Sequence, residues 1–268
     1  MVDRKQTADG ATITVLSPHR DDAAFSCGIL IQEVSALGVP VDIVNCFTIS
    51  DYAPLLHTET IRADKIIGFV SDTREKEDAS FAALLGDRCQ ISALGRLDAP
   101  IRSGRPFETI FDGAPLSNED DQEVEEIAAA LKQLPARGIL LLPLAIGNHI
   151  DHRIAREAGL RTRSSKLFAF YEDLPYAATQ DENSIRQYVS DLENLLSEQL
   201  RPVIVRSGRA VELKRRCASL YASQVDPHWV EQIAVYARRY EEGERFWASE
   251  GAGNLLLAAT THARAFVG

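Results

Sequence analysis

Short apolar runs recur along the chain and are separated by longer segments with helical periodicity. Residues 12–18, 41–48 and 138–144 are rich in branched aliphatic side chains, and turn residues bound each run. Strands that are covered by helices on both faces have this composition. Residues 165–171 and 202–206 fit a fourth and a fifth strand. The pattern therefore predicts at least three buried parallel strands and two further ones.

Segments with apolar positions at helical spacing lie between and after these runs. They cover residues 23–37, 72–85, 118–134, 150–161 and 181–200. Strands that alternate with helices predict an α/β fold, in which an open, mainly parallel sheet carries helices on both faces. The expected architecture is thus three layers, αβα.

The remaining segments give weaker signals. Residues 98–115 are rich in Pro and Gly, and we expect a long surface loop there, which could shape access to a site. After residue 214 the pattern is mostly helical, with Pro227 able to start a helix and Gly243 able to interrupt it. No stretch has the composition of a linker, so residues 1–268 are interpreted as one domain.

Composition and charge exclude several classes of protein. Hydrophobic residues make up 45% of the chain and charged residues 25%, which is typical of globular rather than disordered proteins. The formal net charge of −10 disfavours binding to nucleic acid, which is a polyanion. No apolar run is long enough to span a membrane, and we expect no secretory signal because the first ten residues are polar and mixed in charge.

The four cysteines are scattered and form no CxxC pair. This spacing argues against a cysteine zinc cluster or a disulfide framework and suits a reducing compartment. We therefore expect a soluble cytoplasmic protein. The sequence leaves homo-oligomerisation open.

Two short segments carry side chains suited to metal chemistry. His19, Asp21 and Asp22 follow the first predicted strand, and His149 and His152 follow the strand at residues 138–144. In open α/β sheets, ligands bind outside the carboxyl ends of the strands. Both segments are therefore expected to emerge at the same edge of the sheet.

Imidazole nitrogens and a carboxylate are the ligands of an open catalytic zinc site, which leaves a fourth position to water. His19 and Asp22 could face one metal from a strand-to-helix turn, and His152 could supply the third ligand. Asp21 would then be free to act as a general base on the attacking water. His149, one helical turn from His152, could donate a hydrogen bond to the developing oxyanion.

Several side chains of these two segments also have a structural interpretation. Asp21 or Asp22 alone fits a helix cap, and His19 alone fits a satisfied buried histidine. Asp151 fits a first-turn acid, which is the interpretation we prefer for it. The concurrence of two His/Asp clusters, each after a predicted strand and before a helix, favours the metal site.

The two segments resemble the signatures of the N-acetylglucosaminyl deacetylase superfamily, also called the LmbE-like or PIG-L family. The family pattern His-Pro-Asp-Asp appears here as His19-Arg20-Asp21-Asp22, and the later His-x-x-His appears at residues 149–152. The resemblance implies a Rossmann-like fold and a Zn²⁺-dependent hydrolase that removes acyl groups from amino-sugar nitrogens. Shorter similar stretches, at residues 73–86, 170–176, 221–224 and 244–247, extend it over most of the chain.

Carried over by position, the resemblance implies roles that match those reached from ligand chemistry. His19, Asp22 and His152 correspond to the zinc ligands. Asp21 corresponds to the general base, and His149 to the residue that stabilises the tetrahedral intermediate. Another divalent transition metal is compatible with the same nitrogen and oxygen ligands.

The sequence departs from the family pattern at two positions, where Arg20 replaces proline and Ala23 replaces a frequent glutamate. Arg20 has two interpretations: contact with an anionic part of the substrate, or exposure to solvent. Loss of the glutamate removes an acid that could orient a metal ligand.

Two further residues are candidates for substrate binding. Arg74 could reach a sugar or phosphate, or it could be an exposed helix arginine. Glu172, with Asp173 beside it, could line the mouth of the pocket, or both could be turn acids. Trp229 and Trp247 are expected in the core or at an interface rather than as sugar-stacking platforms.

The sequence is therefore interpreted as a zinc-dependent N-deacetylase that acts on a small-molecule amino-sugar conjugate. One alternative is an amidase with the same chemistry that acts on a conjugate or a non-sugar amide. The other is a sugar- or nucleotide-binding protein without catalysis. This last alternative is weakened because no glycine-rich phosphate loop follows the first strand.

Overall fold

The computed structural model describes residues 12–104, 107–135, 138–162 and 167–261. The strands of this part of the chain are β1 (Thr12–Ser17), β2 (Val41–Ile49), β3 (Cys89–Leu97), β4 (Gly138–Pro143), β5 (Leu167–Tyr171), β6 (Arg201–Arg206) and β7 (Gly243–Ala248). They form one sheet in the order β3-β2-β1-β4-β5-β7-β6. The strands from β3 to β5 pair in parallel, and β7 is antiparallel to both of its neighbours.

Helices connect and cover these strands. They are α1 (Asp22–Ala36), α2 (Ile66–Leu85), α3 (Ala99–Ser103), α4 (Asn118–Leu131), α5 (Ile150–Leu160), α6 (Glu182–Leu196), α7 (Ala210–Ala218), α8 (Pro227–Val235) and α9 (Glu250–Thr261). Short 3₁₀ turns lie at Ala63–Lys65, Phe107–Phe111, Tyr176–Thr179 and Tyr236–Tyr240.

The direction of the crossovers places helices on both faces of the sheet. The helices α1 and α2 lead from β1 to β2 and from β2 to β3, whereas α5 leads from β4 to β5 in the opposite direction across the sheet. Parallel crossovers are right-handed, so opposite steps put their helices on opposite faces. Helix α4 packs against α5, and α1 packs against α2. The mainly parallel αβα architecture expected from the sequence is confirmed.

The five predicted strands are present with bounds close to those expected. The aliphatic side chains of β1 and β4 are buried, as the apolar runs predicted. Residues 165–166 of the fourth predicted strand lie outside the described residues, and β5 begins at Leu167. Helix α2 begins at Ile66, six residues before its predicted start at residue 72.

Two strands differ from the sequence expectation. Strand β3 was not predicted because it is an edge strand with few buried positions, so it lacks an apolar run. Strand β7 lies where the chain was expected to be mostly helical, and Gly243 starts this strand instead of interrupting a helix. The side chains of Glu244 and Arg245 are buried in ion pairs, which the polarity of the sequence does not reveal.

Two further features concern the surroundings of the sheet. Residues 98–115 were expected to form a surface loop, but they contain helix α3 and a 3₁₀ turn. Within the described ranges, no helix has both the length and the apolar character needed to cross a bilayer.

Candidate active site

The neighbouring strands β1 and β4 mark a switch point in the sheet. The chain leaves β1 toward β2 and leaves β4 toward β5, which lie on opposite sides. Such a switch opens a crevice at the carboxyl ends of the strands. Both predicted segments converge there: the ring centroid of His19 lies 4.9 Å from that of His149 and 5.3 Å from that of His152.

Hydrogen bonds fix the first turn, between β1 and α1. The Ser17 hydroxyl donates to the backbone carbonyl of His19 at 2.6 Å and accepts the backbone N–H of Ala23 at 3.0 Å. The carboxylate of Asp22 accepts the backbone N–H of His19 at 2.8 Å. The imidazole of His19 and the carboxylate of Asp22 are therefore held side by side before any ligand binds.

The second turn, between β4 and α5, uses backbone conformations that few residues adopt. Ala145, Gly147 and Asn148 have φ angles of 61°, 87° and 60°. The left-handed region costs a non-glycine residue about 1–2 kcal/mol, and such strain persists where the surroundings impose it. Immediately afterwards, His149 occupies the N-cap of α5 and His152 lies in its first turn.

His19, Asp22 and His152 form a group with the geometry of a metal site. Asp22 Oδ2 lies 3.3 Å from His19 Nδ1 and 3.5 Å from His152 Nε2. Ligand atoms at 2.0–2.2 Å from a tetrahedral zinc ion are about 3.4 Å apart, which agrees with these separations. His152 Nε2 is buried and has no hydrogen-bond partner among the described residues. The donor set and the unpaired nitrogen both fit a divalent transition-metal ion.

A second carboxylate lies behind each histidine of this group. His19 Nε2 is 3.2 Å from Asp151 Oδ2, and His152 Nδ1 is 2.6 Å from Asp173 Oδ1. Carboxylates in this position fix the tautomer of a histidine and orient its other nitrogen toward the metal. Sequence analysis missed both roles: it interpreted Asp151 as a first-turn acid, and Asp173 as a residue of the pocket mouth or a turn acid. The sequence signal that could have revealed them was their position: Asp151 lies between His149 and His152, and Asp173 follows the end of β5.

Helix α3 holds Asp151 in place. Its carboxylate accepts the backbone N–H of Ala99 at 2.9 Å and the guanidinium of Arg102 at 2.7 Å. Burial works to raise the pKa of Asp151, but the hydrogen bond with His19 and the charge of Arg102 outweigh it and hold that pKa well below its ordinary value. The segment expected to be a surface loop thus anchors an ionised group behind the site.

The carboxylates make this site favourable for positive charge. Burial lowers the pKa of His19, but hydrogen bonds with Asp151 and Asp22 outweigh burial and raise it to about 10. Burial raises the pKa of Asp22, but the charges of His152 and His19 outweigh burial and lower it to about 2. Metal ligands must be deprotonated, so a metal ion bound here would replace the proton on His19 as the positive charge beside these carboxylates.

His149 has a different environment and stays neutral. Burial, together with the neighbouring charge of His19, lowers the pKa of His149 well below its ordinary value. Its Nδ1 accepts the backbone N–H of Asp151 at 3.1 Å, so the proton of the neutral ring is on Nε2. His149 also belongs to a second metal-type group with His19 and Asp151, but its Nδ1 is already used there. It is better suited to donate a hydrogen bond than to bind a metal.

Asp21 lines the cleft that opens above these residues. It occupies the N-cap position of α1, but its side chain makes no capping hydrogen bond. Instead, Oδ1 accepts the guanidinium of Arg74 at 3.0 Å. Arg74 is buried and also lines the cleft, so its interpretation as an exposed helix arginine was wrong.

The structure does not bring Arg20 and Glu172 to the cleft, which corrects both as substrate-binding candidates. Arg20 is buried and donates to Asp78, so it is neither exposed nor available to a substrate anion. Glu172 is buried, and its carboxylate accepts hydrogen bonds from aromatic and cationic side chains. These donors are Tyr236, Tyr240, Arg245 and Trp247.

The cleft has a volume of about 250 Å³, and its walls combine charged, aliphatic and aromatic side chains. Tyr52, Phe111, Tyr176 and Trp229 contribute to these walls. Trp229 was expected in the core or at an interface; it is half-buried, packs against the core and also lines the cleft. Trp247 is fully buried in the core.

Asp98 is a residue of the cleft that sequence analysis missed. It is buried, and one of its carboxylate oxygens has no hydrogen-bond partner in the described part of the chain. Burial raises its pKa. Asp98 directly follows β3, at the ligand-binding edge of the sheet. It was missed because the strand before it was missed.

Comparison with known proteins defines the class to which this fold and site belong. The chain belongs to the PIG-L family, described as GlcNAc-PI de-N-acetylase, whose family model matches residues 14–162. This region is more than half of the chain and includes both histidine segments.

Particular relatives cover nearly the whole chain. It is 31% identical over 254 residues to a 2'-N-acetylparomamine deacetylase of Streptomyces fradiae, covering 93% of this chain and 85% of the relative. A 2'-N-acetylparomamine deacetylase of Niallia circulans is 24% identical, with 90% and 92% covered. The fold is similar to that of teicoplanin deacetylase in its zinc-inhibited form, with a TM-score of 0.64, 19% identity, and 88% of this chain and 97% of that chain covered.

Proposed function

We propose that this protein is a zinc-dependent hydrolase that removes the N-acetyl group from a small molecule containing an amino sugar. The observation that carries this proposal is the convergence of the His19, Asp22 and His152 group with Asp21 and a neutral His149 around one cleft. Membership of the PIG-L family and similarity to two acetylparomamine deacetylases support the reaction type.

The three ligand residues are prepared for the ion by their neighbours. A zinc ion held there would polarise the acyl carbonyl and lower the pKa of a water molecule to about 7. Asp151 and Asp173 hold the two histidine rings, so these ligands need little rearrangement.

Asp21 is proposed as the general base. Its position at the cleft and its freedom from helix capping leave its carboxylate available to the attacking water. As the water oxygen bonds to the acyl carbon, Asp21 accepts the water proton. Arg74 donates to one oxygen of this carboxylate and fixes its orientation.

His149 is proposed to stabilise the charge that develops on the acyl oxygen. Its neutral ring carries the proton on Nε2, so it can donate one hydrogen bond to this oxygen. The C–N bond then breaks, and the proton held by Asp21 passes to the leaving nitrogen. The acetic acid formed gives its remaining proton to the amine, so the products are acetate and an ammonium group, and atoms and charge balance.

The lining of the cleft suits a sugar ring, which we propose as the group that carries the amide. Aromatic walls that include Tyr52 and Trp229 offer apolar faces to the ring, and Asp98 offers an acceptor for a hydroxyl or an amine. The cleft volume of about 250 Å³ is slightly below the usual range of small-molecule pockets, about 300–1,000 Å³. We therefore propose that one acetylated ring enters and that the conjugated part stays outside.

Acetate release tests this function and separates it from its alternatives. The zinc-loaded protein would be offered 2'-N-acetylparomamine, N-acetylglucosamine conjugates and simple non-sugar N-acetyl amides. Acetate from the sugars alone is expected. Turnover of the non-sugar amides alone would indicate an amidase, and binding of sugars without acetate release would indicate a non-catalytic protein.

The substitution Asp21→Asn tests the mechanism in the same assay. We expect kcat to fall by about 10²–10⁴-fold, the typical contribution of a general base, while the metal content is unchanged. A variant with full activity would remove Asp21 from this role.

A further inference from the structure

Arg20 lies in the turn between β1 and α1, residues 18–21, which is called the catalytic turn below. Its side chain is directed to helix α2. It is only 8% exposed and donates to Asp78 Oδ2. Asp78 is also buried and accepts two more hydrogen bonds, from Asn45 Nδ2 at 2.8 Å and from the Tyr221 hydroxyl at 3.0 Å. This one carboxylate therefore joins the catalytic turn to α2, to strand β2 and to the chain that follows α7.

A second ion pair joins the catalytic turn to α2, but here the helix supplies the arginine and the turn supplies the carboxylate. Arg74 on α2 donates to Asp21 Oδ1 in the turn. Arg74 and Asp78 are four residues apart, so they lie on the same face of α2. The turn contributes Arg20 and Asp21, and the helix contributes Asp78 and Arg74. Two consecutive residues of the turn, Arg20 and Asp21, are thereby tied to α2.

We propose that Arg20 and Asp78 are positioning residues that set the place of the Asp21 carboxylate relative to the metal ligands. This inference rests on the proposed function. Buried ion pairs add little net stability compared with apolar residues of the same size, so stability alone is a weak reason for this pair. Catalysis is sensitive to position, since a displacement of 1 Å costs about 10²-fold in rate.

The test compares Arg20→Met, Asp78→Asn and the double variant with the wild type. We expect each single change to lower kcat about 10–100-fold, with KM and zinc content little changed. The double variant is expected to be no slower than the slower single variant, because both changes remove the same interaction. Arg20→Lys restores part of kcat, and Tyr221→Phe, which removes one hydrogen bond to Asp78, lowers kcat less.

The matched control is Glu244→Gln, which weakens another buried ion pair: Glu244 pairs with Lys214 and accepts the backbone N–H of Ile29, in the middle of α1. It is expected to lower the melting temperature without a change in kcat. If kcat falls in proportion to stability in all variants, or if the two single effects on kcat add, the pair is merely structural and the inference fails.

Hydrogen–deuterium exchange gives a readout that does not need activity. In Asp78→Asn the backbone amides of residues 19–23 are expected to exchange at least about 10-fold faster, whereas Glu244→Gln, whose partner Lys214 contacts α1 at Phe25, leaves them unchanged. Unchanged exchange in Asp78→Asn overturns the inference whether or not the enzyme is active. A wild type that releases no acetate contradicts the proposed function, and the exchange result still decides whether the pair holds the turn.

Discussion

The substitution Asp173→Asn probes how the protein prepares its metal ligands. Asp173 is fully buried and uses both carboxylate oxygens: Oδ1 accepts His152 Nδ1–H at 2.6 Å, and Oδ2 accepts the backbone N–H of Ile146 at 3.0 Å. Asparagine has the same shape but only one oxygen. One of the two donors therefore faces an N–H₂ group and loses its partner.

The size of the effect follows from this loss. Leaving a buried donor unpaired costs about 1–3 kcal/mol, so the metal-free variant is expected to unfold that much more easily. Loss of a carboxylate partner from a metal-bound histidine weakens metal affinity about 10–100-fold, which corresponds to about 1.4–2.7 kcal/mol. The substitution is therefore expected to lower both the stability of the metal-free protein and its affinity for metal. The wild-type carboxylate orients His152 and keeps its Nε2 available as a ligand.

Two measurements check this prediction. Competition with a chromophoric chelator gives the zinc dissociation constant, and urea unfolding of the metal-free protein gives the stability. Asp191→Asn is the control, since Asp191 is exposed on α6 and its carboxylate accepts a hydrogen bond from Gln187. Zinc affinity equal to the wild type in Asp173→Asn would refute the argument that Asp173 orients a metal ligand.

Three further predictions follow from single observations. His149→Ala is expected to lower kcat about 10²–10³-fold with zinc content unchanged, because it removes one donor to the oxyanion; a loss of zinc in this variant would instead make His149 a ligand. Trp229→Ala is expected to raise KM about 10-fold while kcat stays within about twofold, because the aromatic wall contacts the sugar in ground and transition states alike; a change in kcat alone would count against that contact. Burial raises the pKa of all four thiols, to about 12 for Cys89 and Cys217, so a thiol reagent at pH 8 should label none of them in the native protein and all of them in denaturant; rapid native labelling would contradict their burial.

The central sheet and the metal-type group could be predicted because local patterns encode them. Apolar runs mark β1 and β4, which are covered on both faces, and the motif residues follow these strands directly. The rule that ligands bind at the carboxyl ends of parallel strands then brings His19 and His152 together. No knowledge of side-chain orientation was needed for this step.

The partners of the site residues could not be predicted because they depend on packing between distant elements. Arg20 pairs with Asp78, 58 positions away, and Glu172 with Arg245, 73 positions away. A charged residue in a sequence is more often exposed than buried, so both were interpreted from their polarity. The same reason concealed β7, whose polar residues are buried in ion pairs.

The most direct test of the account is the metal content of protein purified without a chelator, measured beside His152→Ala. We predict about one zinc ion per wild-type chain and almost none in the variant, together with loss of acetate release, because His152 supplies one of three protein ligands of an open site. A wild type that neither contains metal nor is stabilised by added zinc would contradict the account, as would a variant that keeps both its zinc and its activity.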